Sequence, residues 1–135
     1  MASAMRVLII DDAEAMRFLL RRVLTRGPGF EVVGEAGDGA QGIELARATH
    51  PDLILLDLRM PVMDGFEALP RLRAAAPTAR IVVVSGLDPR DAATRTAALG
   101  ADDYLEKDLP PAEFQRRLLA YAQTSSEGST STTPA

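Results

Sequence analysis

The chain has 135 residues, a formal net charge of −4, a pI near 5.0 and no cysteine. That length fits one domain, and a fold of about 150 residues buries roughly 70% of its unfolded surface without needing a covalent staple. The lack of cysteine excludes disulfides, thiolate metal sites and cysteine nucleophiles, while the acidic balance argues against a nonspecific nucleic-acid or membrane binder, since both need a basic face. Met1-Ala2-Ser3-Ala4 is too short for a signal peptide, and no apolar run approaches the ~18 residues of a membrane span. A soluble cytoplasmic domain is expected.

Short apolar runs and segments of helical character alternate along the chain. Val7-Leu8-Ile9-Ile10 predicts a first strand, and Asp11-Asp12 leads into a helix that stops at Gly27-Pro28-Gly29. Val32-Val33-Gly34 is mixed with polar residues, which suits an edge strand; a helix follows from Asp38-Gly39 to His50-Pro51. Leu53-Ile54-Leu55-Leu56 precedes a helix from Asp64-Gly65 to Pro77, with Pro70 inside it, where a missing N–H should kink or delay the helix. Ile81-Val82-Val83-Val84 is followed by Asp88-Pro89, an N-cap with proline at the first helical position, and that helix closes at Gly100. Tyr104-Leu105 is the last strand, and a fifth helix starts around Pro110-Pro111 and ends near Ala122.

Continuous rather than alternating apolar runs fit strands covered on both faces. Five βα units imply an α/β, flavodoxin-like (βα)5 doubly wound parallel sheet with helices on both faces. Its natural strand order is 2-1-3-4-5, with a crevice at the carboxyl ends of strands 1 and 3. One domain is expected over residues 1–122. Residues 123–135 form a polar Ser/Thr-rich tail with nothing to pack, expected to be disordered.

Every chemically interesting residue lies just past a strand. Asp11 and Asp12 follow strand 1, Asp57 follows strand 3, Ser85 follows strand 4 and Lys107 follows strand 5. Taken singly, the aspartates could favour the positive end of a helix or open a surface loop, and Ser85 could be a turn residue. Together, three carboxylates in one crevice repel one another unless a cation is present. An all-oxygen set suits Mg²⁺, which keeps waters and pairs with phosphate oxygens. Lys107 is the only lysine among fifteen basic residues, so that position has resisted a strong arginine bias. A compact ammonium suits a confined anionic site better than a planar guanidinium. The set reads as a carboxylate nucleophile with phosphoryl-transfer machinery around it.

Ile9-Ile10-Asp11-Asp12, the run from Leu55 through Asp57-Leu58-Arg59-Met60-Pro61-Val62-Met63-Asp64-Gly65, Val84-Ser85-Gly86 and Gly100 through Lys107 resemble the CheY-like receiver domain of bacterial two-component response regulators. The resemblance spans residues 5 to about 122. It implies that Asp57 is the phosphoacceptor. Asp12 would bind Mg²⁺ directly, Asp11 mainly through water, and the backbone carbonyl of Arg59 would be a further ligand. It also implies that Lys107 contacts the phosphoryl group, with Ser85 and Tyr104 at the switch positions. The chain departs from the common pattern where Asp108, rather than proline, follows the lysine; a trans Lys107–Asp108 bond is expected. Arg59 places a long cation beside the phosphorylation site.

The resemblance implies a phosphoreceiver loaded by a histidine kinase or histidine phosphotransfer protein. Its phosphorylation would alter the face of helix 4, strand 5 and helix 5 for a downstream protein, or for a homodimer, without direct nucleic-acid or membrane binding. A stand-alone receiver is the leading reading, and a receiver cut from a longer DNA-binding regulator is the alternative. An adaptor independent of phosphorylation is disfavoured because the acids and the lysine are all present. A phosphohydrolase is disfavoured because its Asp-x-Asp motif and cap insertion are missing. His50, the sole histidine, reads as a surface loop residue.

Overall fold

The computed structural model describes residues 4–131, and their side chains as far as Ala122. Five strands, β1 Met5–Ile10, β2 Phe30–Ala36, β3 Leu53–Leu56, β4 Arg80–Ser85 and β5 Asp103–Glu106, form one sheet. All pairings are parallel and the order is β2-β1-β3-β4-β5. The helices are α1 Glu14–Thr25, α2 Gly39–Thr49, α3 Gly65–Ala75, α4 Pro89–Ala98 and α5 Pro111–Ser131. The expected doubly wound sheet is present.

Side chains alternate across the sheet, because successive strand residues point to opposite faces. Val7 and Ile9 join Leu20, Leu24, Phe114 and Leu118 of α1 and α5 in one core. Leu8 and Ile10 join Ile43, Ala46, Leu69 and Leu72 of α2 and α3 in the other. The central strands are therefore buried on both sides, which is why they read as unbroken apolar runs.

Local chemistry sets the helix starts. Asp38, Asp64 and Asp88 accept hydrogen bonds from the backbone N–H of Gln41, Glu67 and Arg90, each satisfying a donor that the helix leaves free. Helix α1 differs, because its N-cap is Ala13, which has no side-chain acceptor. Asp11 and Asp12 are thus not spent as its caps. Helix α3 runs continuously through Pro70, whose side is exposed to solvent. Helix α5 differs from expectation in length: it continues past Ala122 to Ser131. No proline lies between Pro111 and Pro134, and extending an existing helix adds a backbone bond for each residue fixed. The remainder of the predicted tail, 132–135, lies outside the described residues.

At the amino-end rim of the sheet, Arg73 of α3 acts as a clip. Its guanidinium donates to the carbonyls of Ala79 (2.5 Å) and Gly100 (2.7 Å) and to the Asp102 carboxylate (2.7 Å). Asp102 in turn accepts from the Ile81 N–H at 2.8 Å.

Candidate functional site

Sheet hydrogen bonding continues one residue past the strand ends, and this fixes the backbone of the site. Asp11 N–H donates to Ala36 O at 3.0 Å, Asp57 N–H to Ile10 O at 2.9 Å and Lys107 N–H to Ser85 O at 2.9 Å. Strands β1, β3, β4 and β5 are adjacent, so Asp11, Asp57, Ser85 and Lys107 meet at one rim.

The Lys107 ammonium lies between two carboxylates, 2.9 Å from Asp11 Oδ2 and 3.2 Å from Asp57 Oδ1. Asp11 and Asp57 are buried, at 1% and 4% exposure, and Asp12 is exposed beside them. Burial first, and then the Asp11 charge, pushes Asp57 up to about 6; Lys107 and the Leu58 amide pull in the other direction. Burial works against the charge on Lys107, but the two carboxylates outweigh it and hold the ammonium above its ordinary value. The lysine is a counter-ion to a pair of acids that would otherwise resist sharing a buried site.

The β3–α3 loop is drawn tightly over this pair. Leu58 N–H donates to Asp57 Oδ1 at 2.8 Å, and Gly65 N–H donates to Leu58 O at 2.8 Å. A Cβ on Gly65 would lie 2.3 Å from the Asp57 carbonyl oxygen and 2.7 Å from Leu58 Cα. Only glycine permits that approach. Between them Val62 is 83% exposed and holds a φ of 68°, an uncommon conformation for a β-branched residue. Arg59 is exposed at the start of the loop.

Ser85 is buried at 1% exposure and its Oγ accepts from the Leu87 N–H at 3.1 Å. Tyr104, half-buried against Leu58, Val83 and Ala92, donates its hydroxyl to the Leu87 carbonyl at 2.9 Å. An open cleft of about 760 Å³ runs beside Ser85 and Lys107, between the β4–α4 and β5–α5 loops. No peptide bond among the described residues is cis, so Lys107–Asp108 is trans. His50 closes α2 on the surface with a φ of 50°.

Asp11, Asp12 and Asp57 each offer a carboxylate oxygen, all within 4.8 Å of one another. Asp11 Oδ1 accepts from the Ala13 N–H at 2.9 Å, but buried Oδ2 has no directed hydrogen bond and only the ion-pair approach of Lys107. A buried acceptor left in this condition, within an all-oxygen set, fits a hard divalent cation such as Mg²⁺.

The predicted residues Asp11, Asp12, Asp57, Ser85 and Lys107 are brought together at the rim, with Tyr104 one step behind Ser85. The sequence reading missed the main chain of Leu87, which carries no side-chain signal, and Arg17. Arg17 Nη1 donates to the Asp11 carbonyl at 2.6 Å; in a chain with fourteen arginines, one more on a helix stood out from nothing.

A family model described as the response regulator receiver domain matches residues 7–119. The nitrate/nitrite response regulator protein NarL of Escherichia coli K12 is 43% identical over 112 residues, covering 83% of this chain and 52% of that protein. The chemotaxis protein CheY of Thermotoga maritima is 35% identical over 113 residues, covering 84% of this chain and 93% of that one. The receiver domain of NarL from Mycobacterium tuberculosis superposes with a TM-score of 0.82 at 34% identity, covering 90% of this chain and 98% of that one. The chain thus spans about half the length of NarL, and its match to a Geobacter sulfurreducens protein-glutamate methylesterase covers 32% of that protein.

Proposed function

The chain belongs to the response regulator receiver domain family, and on that premise we propose that Asp57 takes a phosphoryl group from a phosphohistidine. The donor is a histidine kinase or a histidine phosphotransfer protein. An Asp57 carboxylate oxygen attacks phosphorus, the P–N bond breaks, and the histidine nitrogen leaves with the bonding pair. An acyl phosphate forms on Asp57. The single observation that carries this reading is the one ammonium shared between Asp11 and Asp57, a compact cation already placed where new anionic oxygens arrive.

Asp57 Oδ1 is held by Lys107 and the Leu58 amide, so we assign the attack to the other oxygen. Asp12 is the direct Mg²⁺ ligand in this reading, with Asp57, the Arg59 carbonyl and, through water, Asp11 completing the protein's share. Bound Mg²⁺ supplies positive charge to the transferring phosphoryl oxygens. Ser85 gives its hydroxyl to a phosphoryl oxygen, Lys107 gives its charge, and Tyr104 reports the change to the surface. The chain is a signalling switch, acting in the cytoplasm on a downstream protein at the α4–β5–α5 face, with a phosphorylation-dependent homodimer as one form of that output.

The test is intact-mass measurement after incubation with acetyl phosphate and Mg²⁺. Wild type should gain one phosphate and Asp57→Asn none. A phosphate gained by Asp57→Asn at the wild-type level would remove Asp57 from this role.

A further inference from the structure

Asp11 is gripped from three directions. Its N–H donates to Ala36 O at 3.0 Å, and its Oδ1 accepts from the Ala13 N–H at 2.9 Å. Its carbonyl accepts from Arg17 Nη1 at 2.6 Å. Arg17 stands in the first turn of α1, with its side chain only 20% exposed, and its Nε lies 3.5 Å from Glu35 Oε1 at the end of β2. Glu35 is also paired with Arg21 from the next turn of α1. Arg17 therefore bridges the edge strand to the peptide joining Asp11 and Asp12.

Asp12 is exposed and its neighbour Ala13 caps α1 without a side-chain bond. The cap residue therefore does nothing to fix the aim of the Asp12 carboxylate, whose direction depends on how the Asp11–Asp12 peptide is oriented. We propose that Arg17 is a positioning residue for the divalent-cation site: by holding the Asp11 carbonyl it sets the plane of that peptide and the aim of Asp12. Glu35 holds the other end of the guanidinium and offsets its charge. The inference rests on the reading of Asp12 as a cation ligand given above.

Two roles for Arg17 predict opposite signs. A guanidinium acting only as a nearby charge repels the cation, so its removal tightens binding. A guanidinium acting through the Asp11 carbonyl orients a ligand, and losing such a support typically weakens metal affinity about 10–100-fold. Arg17→Met keeps the stem and removes both charge and donors. Arg17→Lys keeps the charge but cannot reach Asp11 and Glu35 together through a planar fork.

The experiment is calorimetric titration of the full chain with Mg²⁺ alone, for wild type, Arg17→Met, Arg17→Lys and Asp12→Ala, with circular dichroism to establish folding. The Asp12 amide shift is followed in wild type and the two Arg17 variants. The expected result is Mg²⁺ affinity lowered at least about tenfold in Arg17→Met, an intermediate loss in Arg17→Lys, and a displaced Asp12 amide resonance in both. If Arg17→Met does not fold, Arg17→Lys carries the test with the same sign. Unchanged or tighter Mg²⁺ binding in the folded Arg17 variants, with binding lost in Asp12→Ala, overturns the role of Arg17 alone. Unchanged binding in Asp12→Ala overturns the cation site itself, and this inference with it.

Discussion

Tyr104 donates its hydroxyl to the main-chain carbonyl of Leu87 at 2.9 Å. The N–H of the same Leu87 donates to Ser85 Oγ at 3.1 Å, so one loop residue is held at both ends by the two side chains proposed as the switch. For Ser85 to offer its hydroxyl to a phosphoryl group, that hydroxyl must remain compatible with the Leu87 amide or release it. Release would free the residue whose carbonyl Tyr104 holds.

Tyr104→Phe removes the bond to Leu87 and keeps the ring in its contact with Leu58 and Val83. We expect Mg²⁺ affinity and phosphate uptake to stay within about twofold, with stability lowered by ~1 kcal/mol, the usual net worth of one hydrogen bond. Amide shifts induced by beryllofluoride should become smaller across the β4–α4 loop. Identical shifts in both proteins would show that the hydroxyl does not couple the loop to β5.

Lys107→Ala removes the counter-ion shared by Asp11 and Asp57. The metal-free protein should be destabilised, because two buried carboxylates lose their pairing, while Mg²⁺ should bind at least as tightly as in wild type, having lost a competing cation. Lys107→Arg retains the charge in a wider, planar group, and should bind Mg²⁺ yet respond poorly to beryllofluoride at Ser85 and Tyr104. Wild-type mimic-induced shifts over residues 85–107 in Lys107→Arg would count the lysine as incidental.

Burial, and then the Asp11 charge, push Asp57 from its ordinary 3.8 up to about 6. Its folded pKa is raised, so the folded state binds the extra proton between about pH 4 and pH 6, and stability falls as pH rises through that window. Above pH 6 the ionised carboxylate costs at most ~3 kcal/mol, a figure that already includes the favourable contact with Lys107. Asp57→Asn should therefore be more stable than wild type at pH 7.5 without Mg²⁺, and the difference should vanish below about pH 4. Urea denaturation at both pH values gives the comparison. Equal stability at pH 7.5 would mean that Lys107 fully compensates the buried charge.

Gly65→Ala places a methyl against the Asp57 carbonyl and Leu58 Cα. Both are backbone atoms and cannot swing aside, so we expect a loss near ~3 kcal/mol, at the upper end for overpacking, together with slower phosphate uptake. A folded Gly65→Ala with wild-type phosphorylation kinetics would show that the loop has room to move.

The sheet order and the site were legible because parallel strands buried on two faces leave continuous apolar runs, and because each run ends on the residue that matters. Asp57 after Leu53–Leu56 and Lys107 after β5 could be placed at one rim from order alone. The lysine could be singled out against fourteen arginines, and its position between Asp11 and Asp57 agrees with the confined anionic site that its rarity suggested. Two things lay beyond such reading. Main-chain partners such as the Leu87 carbonyl have no residue signature, and the end of α5 beyond Ala122 falls in a stretch where polar composition suggests a tail while nothing in it forbids helix.

Arg73 gives the molecule a mechanical polarity. At the rim opposite Asp57 it ties the end of α3, the entry to β4 and the turn before β5 into one knot, and Ile81 and Asp102 close it with reciprocal bonds. Strands β4 and β5 are thus pinned to α3 at one end, while the other end carries the loops, the charges and the cleft. If Asp57 carries a phosphoryl group as proposed, the displacement that follows is expected at the free rim, toward α4 and β5, rather than at the pinned end. The amides of Ile81 and Asp102 should accordingly exchange with solvent at the same slow rate whether or not the protein carries phosphate.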